Sequence, residues 1–215
     1  MSKYDTVSEK MAEEILRYSQ KVIGITGTSC IGKSTMTGIL KEKIESSYSV
    51  TIIDVDSYLK EEFRGGKKFW NRFSEYLMPV YFDWKALAQD ISKLQSGKCV
   101  EKEIYKRGIG WGTMITYCPA DYYIVEGLFL DSVEAAEYMH YDRMIALTAT
   151  DEYIYDLRIK RDDYYRQNFK EFTRTKEETI KEIEATLKAG RAYKIDKDKW
   201  TRTEIFVQED SCTEI

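Results

Sequence analysis

Gly27-Thr28-Ser29-Cys30-Ile31-Gly32-Lys33-Ser34 is a GxxxxGK[ST] sequence in the setting that gives this pattern its meaning. It follows at once on Val22-Ile23-Gly24-Ile25-Thr26, an apolar run of strand length, and leads into Met36–Ile44, which has helical periodicity. Gly27 and Gly32 let the backbone turn sharply and approach a phosphate without a Cβ in the way. The N–H groups of the turn and of the helix start then point at phosphate oxygens. Lys33 supplies a positive charge to the outer phosphates of a nucleoside triphosphate, and Ser34 a hydroxyl for Mg²⁺. The expected phosphate-binding residues are Gly27 to Ser34 together with Thr35.

Working outward, further apolar runs of strand length lie at Val50–Val55, Tyr122–Val125, Met144–Leu147 and Ile205–Val207. Continuous apolar runs are typical of buried parallel strands. Helical patterns lie between them at Thr35–Ser46, Trp84–Gln95, Ser132–Tyr138, Tyr153–Tyr165 and Lys176–Ala189. The alternation predicts an α/β fold with a central parallel sheet flanked by helices. The 215 residues suit one domain, 1–215, with an N-terminal helical extension over 1–20 in which Met11 and Ile15 share a face. No chemistry is assigned to that helix. Two segments, 61–81 and 101–119, lack a clean period and are expected to be irregular loops on the acceptor side of the site.

The composition is 43% hydrophobic and 33% charged, with a net charge of −4. That argues against broad nucleic acid binding, which needs a basic face, and leaves room for a local basic patch. No apolar run reaches the length of a membrane span, and the N-terminus lacks a signal-peptide pattern, so a cytoplasmic location is expected. Cys30, Cys99, Cys118 and Cys212 are far apart in the chain and read as free thiols. His140, the sole histidine, lies far from the motifs and is read as structural.

Ligands of open α/β sheets sit beyond the carboxyl ends of the strands. Two acidic features stand there: Asp54-Val55-Asp56, after Thr51-Ile52-Ile53, and Glu126, after Tyr123-Ile124-Val125. Asp56 suits a base that orients and deprotonates an attacking hydroxyl, and with Ser34 and Glu126 it suits the metal side of the site. Asp54 competes for the same role. On an extended strand both acids point to one side, and Asp56 is preferred because it lies further out.

These residues, in order, resemble the uridine kinase and phosphoribulokinase family of P-loop kinases. The resemblance rests on the phosphate loop, on Asp56-Ser57-Tyr58-Leu59-Lys60, on Phe82-Asp83-Trp84 with Leu94-Gln95-Ser96-Gly97-Lys98, on Glu103-Ile104-Tyr105, on Pro119-Ala120-Asp121 through Val125-Glu126-Gly127, and on Arg161-Asp162 with Arg166. It implies a P-loop kinase with a helical lid over 153–175, ATP as donor, Mg²⁺, and a small-molecule acceptor, usually through a ribose hydroxyl. It implies Asp56, Lys33 and Arg161 as catalytic residues, and Arg158, Arg161 and Arg166 as lid residues on the nucleotide. Tyr58, Tyr105 and Arg166 are implied at the acceptor; Arg107 departs from the family's pattern and is expected there as a group that would favour an anionic acceptor. Homo-oligomers are common in the family.

Two departures bear on the acceptor. Leu77-Met78-Pro79 stands where the family has Asp-His-Pro, and Lys106-Arg107-Gly108-Ile109-Gly110 replaces a segment bearing Asp and His. A site that loses such hydrogen-bonding groups changes its preferred ligand. The phosphate-transfer half is intact and the acceptor half is rebuilt.

On the lid, Arg158, Arg161 and Tyr165 share a helix face, whereas Arg166 falls elsewhere if the helix continues. Either the helix bends near Tyr164 or one arginine alone reaches the phosphates. The expected activity is phosphotransfer to a nucleoside or riboside. The alternatives are a nicotinamide-riboside-kinase-like enzyme, which resembles this chain at Glu126-Gly127-Leu128-Phe129-Leu130, and a nucleotide-binding switch. Against a guanine-specific switch, the chain has no Asn-Lys-x-Asp sequence.

Overall fold

The apolar runs become the strands of one twisted layer. In the computed structural model, which describes residues 3–64, 78–106, 110–170, 172–192, 194, 200–208 and 211–214, β1 (Val22–Gly27), β2 (Val50–Asp54), β5 (Tyr122–Gly127), β6 (Arg143–Thr148), β7 (Arg202–Val207) and β8 (Cys212–Glu214) form a sheet in the order β2-β5-β1-β6-β7-β8. All pairings are parallel except β7 with β8. The sheet therefore carries all its main carboxyl ends on one edge, which is where α/β proteins bind ligands.

Side chains alternate between two cores. Ile23, Ile25, Tyr122 and Ile124 face α1 (Asp5–Arg17) and α2 (Lys33–Glu45), where Met11, Ile15, Met36, Leu40 and Ile44 are fully buried. Val22, Tyr123, Val125 and Met144 face α3 (Trp84–Gln95) and α4 (Val133–Tyr138). Helix starts follow from local chemistry. Asp83 accepts the Ala86 N–H, Ser132 accepts that of Ala135, and Thr150 accepts that of Tyr153. Each satisfies one donor that a helix start leaves unpaired.

The segment 101–119, expected as an irregular loop, is a β-hairpin for most of its length. β3 (Val100–Lys106) pairs antiparallel with β4 (Gly110–Tyr117). Polar side chains on its outer positions hide the apolar alternation of Val100, Ile104, Ile115 and Tyr117. The hairpin is docked through Lys102, whose ammonium lies 3.7 Å from the Tyr58 ring centroid and 3.8 Å from Asp90 on α3. Its base brings Cys99 opposite Cys118 with sulfurs 3.6 Å apart, so two of the thiols distant in sequence are neighbours in space. Of the other segment, 61–81, residues 65–77 lie outside the described residues, and the flanks make short 3₁₀ turns at Glu61–Phe63 and Pro79–Tyr81.

α5 (Asp151–Asn168) and α6 (Lys176–Ala192) pack against each other after β6. α5 runs unbroken past Tyr164 to Asn168, so the bend that was one of the two expectations does not occur. Among the described residues, no helix is long and apolar enough to cross a membrane.

Candidate active site

The turn after β1 is shaped by close approach. Gly27 has φ +146°, and a Cβ there would lie 2.6 Å from the Leu147 carbonyl oxygen on the neighbouring strand. Gly32 has φ +101°, and Cys30 between them has φ +72°. Alternation of left- and right-handed residues turns successive N–H groups into one concavity, which holds anions. α2 begins at Gly32 with no side chain capping its first turn, so its N–H groups stay available to a ligand. The Lys33 ammonium folds over this turn, 3.0 Å from each of the Gly27 and Thr28 carbonyl oxygens. Burial lowers the Lys33 pKa, and the Glu126, Asp56 and Asp54 carboxylates oppose that shift.

Ser34 Oγ donates to Glu126 Oε1 at 2.6 Å. Glu126 also pairs in register with Asp54 across β5 and β2. Both acids therefore sit beside Ser34 at the sheet's carboxyl edge. The chain leaves β2 at Asp54 and enters a 3₁₀ turn, Val55–Tyr58, so Asp54 and Asp56 do not lie on one extended strand as expected. Asp54 Oδ1 accepts the Asp56 N–H at 2.9 Å, capping that turn. The Asp54 side chain is exposed to solvent. Desolvation by the surrounding protein pushes its pKa up to about 8, with the Asp56 charge as the second cause.

Ser34, Asp56 and Glu126 offer hard oxygen donors of the kind Mg²⁺ takes. Among the described residues, no group of three or more His, Cys, Asp or Glu side chains is built to hold a metal alone. Such oxygen donors suit an ion that phosphate and water also coordinate, which is how Mg²⁺ is held in phosphoryl transfer sites.

α5 delivers Arg161 to the loop. Its Nη1 donates to Ser29 Oγ at 3.0 Å, while Nε and Nη2 form a fork on Asp162 Oδ1 at 2.8 and 2.6 Å. Asp162 is fully buried and also accepts from Thr179 Oγ1 at 2.8 Å. Arg166 faces away. It donates to Asp163, to the Arg174 carbonyl and to Thr179 Oγ1, because five positions on an unbroken helix turn it toward α6. Arg158, 4% exposed, pairs with Glu182 of α6 at 2.5 Å and lines a small pocket together with Thr28 and Ser29 of the loop.

On the acceptor side, Tyr58 is 1% exposed and its hydroxyl donates to Asp90, so it belongs to the core. Tyr105 lies where the β3–β4 register shifts, with its ring 5.7 Å from that of Trp111. Such irregularities re-aim side chains next to active sites. Arg64 stacks over Trp111 at 4.2 Å and pairs with Glu103 at 3.0 Å. Arg107 lies outside the described residues. Arg64 and Trp111 lie in the two segments that the sequence placed on the acceptor side, whereas Tyr4 was not singled out. For Tyr4 a signal existed, since Tyr4, Ser8, Met11 and Ile15 continue a single helical stripe.

A family model described as the phosphoribulokinase / uridine kinase family matches residues 22–212. A uridine kinase of Macrococcus caseolyticus is 35% identical over 111 residues, and one of Staphylococcus aureus is 33% identical over the same length. The match covers 50% of this chain, and the chain spans about half the length of these curated relatives (52%). A D-glycerate 3-kinase from Cryptococcus neoformans superimposes with a TM-score of 0.70, covering 97% of this chain and 99% of that one at 12% identity. That likeness concerns the fold.

Proposed function

The chain belongs to the phosphoribulokinase / uridine kinase family, and on that premise we propose that it transfers the γ-phosphate of ATP to a hydroxyl of a small molecule, a nucleoside or riboside in the first instance. The observation that carries the reading is the convergence on one sheet edge of the phosphate loop, the bonded pair Ser34–Glu126, the Asp54–Asp56 turn and Arg161. The uridine kinases among its relatives support a nucleoside acceptor.

In this reading Mg²⁺·ATP supplies the phosphoryl group and its charge neutralisation. The loop N–H groups from Thr28 to Thr35 hold the phosphates, with Lys33 as the mobile charge on the outer ones. Ser34, Glu126 and Asp56 form the metal side. Asp56 orients the acceptor hydroxyl and takes its proton, while Asp54 fixes the turn that presents Asp56. Arg161 offsets charge on the phosphoryl in flight, as preorganised donors do. Tyr105 and Trp111 wall the acceptor side, with Arg64 behind them.

The test is ADP release measured with uridine, cytidine, nicotinamide riboside and simple sugars as acceptors. Stimulation by a nucleoside or riboside is expected, and release at the water rate with every acceptor would sink the proposal. Asp56→Asn should lower kcat by about 10²–10⁴-fold and leave the ATP dissociation constant nearly unchanged. Normal turnover in that variant would reject Asp56 as the base.

A further inference from the structure

Helix α1 contains none of the phosphate-binding residues, yet the residue before it touches the phosphate loop. Tyr4 is 5% exposed, and its hydroxyl donates to the main-chain carbonyl of Ile31 at 2.6 Å. The approach is close, since a Cβ on Gly32 would lie 1.9 Å from the Tyr4 hydroxyl oxygen. α1 is held in place by fully buried Met11 and Ile15 and by the Ser8 hydroxyl, which donates to the Met36 sulfur of α2 at 2.9 Å. Next to Tyr4, Lys3 donates to the Tyr153 hydroxyl of α5 at 2.8 Å and to the Gln208 carbonyl after β7. Residues 3 and 4 thus join the loop, α5 and the end of β7.

The Ile31 carbonyl and the Gly32 N–H belong to one planar trans peptide and point in opposite directions. Fixing one aims the other. We propose that Tyr4 is a positioning residue for the phosphate loop: by holding the Ile31 carbonyl outward it turns the Gly32 N–H into the concavity that receives phosphate. Gly32 is the residue best able to reorient, because a glycine at positive φ has little steric restraint of its own. Ile31 is itself 1% exposed, so water is a poor substitute partner for its carbonyl. An external clamp therefore replaces the restraint that the glycine lacks.

This inference rests on reading the loop as the ATP phosphate site. Its test is calorimetric binding of Mg²⁺·ATP without acceptor, together with thermal denaturation, for wild type, Tyr4→Phe and Ser8→Ala. Tyr4→Phe keeps the ring and loses only the hydroxyl, and roughly ten-fold weaker ATP binding is expected, the size of one net hydrogen bond. Ser8→Ala loosens α1 without touching the loop, and should lower the midpoint of unfolding while keeping the ATP dissociation constant within about two-fold. ATP binding by Tyr4→Phe within two-fold of wild type overturns the inference. So does an equal loss of ATP affinity in Ser8→Ala, because that would mark a merely structural role. Should Tyr4→Phe fail to fold, hydrogen exchange on wild type decides. ATP should slow exchange over Tyr4–Ser8 together with Ile31–Lys33, and an unmoved Tyr4–Ser8 segment overturns the proposal. A wild type that binds no ATP removes the phosphotransferase reading and this inference with it. ATP binding that survives Tyr4→Phe removes the inference alone.

Discussion

Gly27 and Asp54 illustrate how single residues act in this protein. Gly27 permits two strands to approach at the point where the chain turns toward its ligand. Replacing it with Ala puts a Cβ 2.6 Å from the Leu147 carbonyl, at a φ that L-residues rarely adopt. Gly27→Ala is expected to cost about 1–3 kcal/mol in stability, measured by urea denaturation, and to weaken ATP binding as the loop shifts. The importance of Gly27 was legible in the motif, since only a glycine suits such a turn. Asp54 was legible as an acid near the site, but its position was not. Reading both acids on one extended strand assumed that β2 continues, whereas the chain turns at Val55 and the Asp54 carboxylate caps that turn. Strand ends depend on what packs beyond them, and that information is not local.

At the scale of elements, the α5–α6 pair depends on a buried ionic cluster. Asp162 receives Arg161, Thr179 and Arg174, and Arg174 and Arg158 both pair with Glu182. Burial alone would raise the Asp162 pKa, but the Arg161 charge and the hydrogen bonds outweigh it and hold the carboxyl below its ordinary value. A folded-state pKa below the unfolded value of about 3.9 gives stability that is present above that pH and is lost as pH falls through the folded value. Acid unfolding below about pH 4 is therefore expected to be less steep in Asp162→Asn than in wild type. Asp162→Ala should cost about 3–5 kcal/mol at neutral pH by leaving arginines buried without their partner, read by chemical denaturation. A loss under about 1 kcal/mol would show that the cluster contributes little. The two helices were legible in their periodicity, but which arginine serves the loop was not. The unbroken length of α5 decides it, sending Arg161 to Ser29 and Arg166 to α6. The β3–β4 hairpin was missed for a related reason. Its strands are short, polar on one side and docked by Lys102 through contacts distant in sequence.

At the scale of the whole molecule, the candidate site is tied to much of the fold: the phosphate loop and the start of α2 bond to α5 and β5, and residues 3 and 4 bond to the loop, to α5 and to the chain after β7. Binding to such a site should stabilise the whole fold. ATP with Mg²⁺ at about 100 times its dissociation constant adds about 2.7 kcal/mol. At about 2–4 °C per kcal/mol for a chain of this size, the unfolding midpoint should rise by roughly 5–10 °C in scanning calorimetry, and Lys33→Met should lose most of that rise. No rise in wild type would exclude binding to the native state at that concentration. From residues in order along the chain come the α/β class, the strand–turn–helix that binds phosphate, and the family, because each rests on local backbone chemistry or on spacing. The parallel order β2-β5-β1-β6-β7, the Ser34–Glu126 pair, the retreat of Tyr58 and Arg166 from the site and the clamp of Tyr4 on Ile31 come from packing. Most of these features bring together residues tens of positions apart, and Arg166 turns to a partner across the α5–α6 connection. The free energy that holds them belongs to the buried surface they share, which no single stretch of the chain contains.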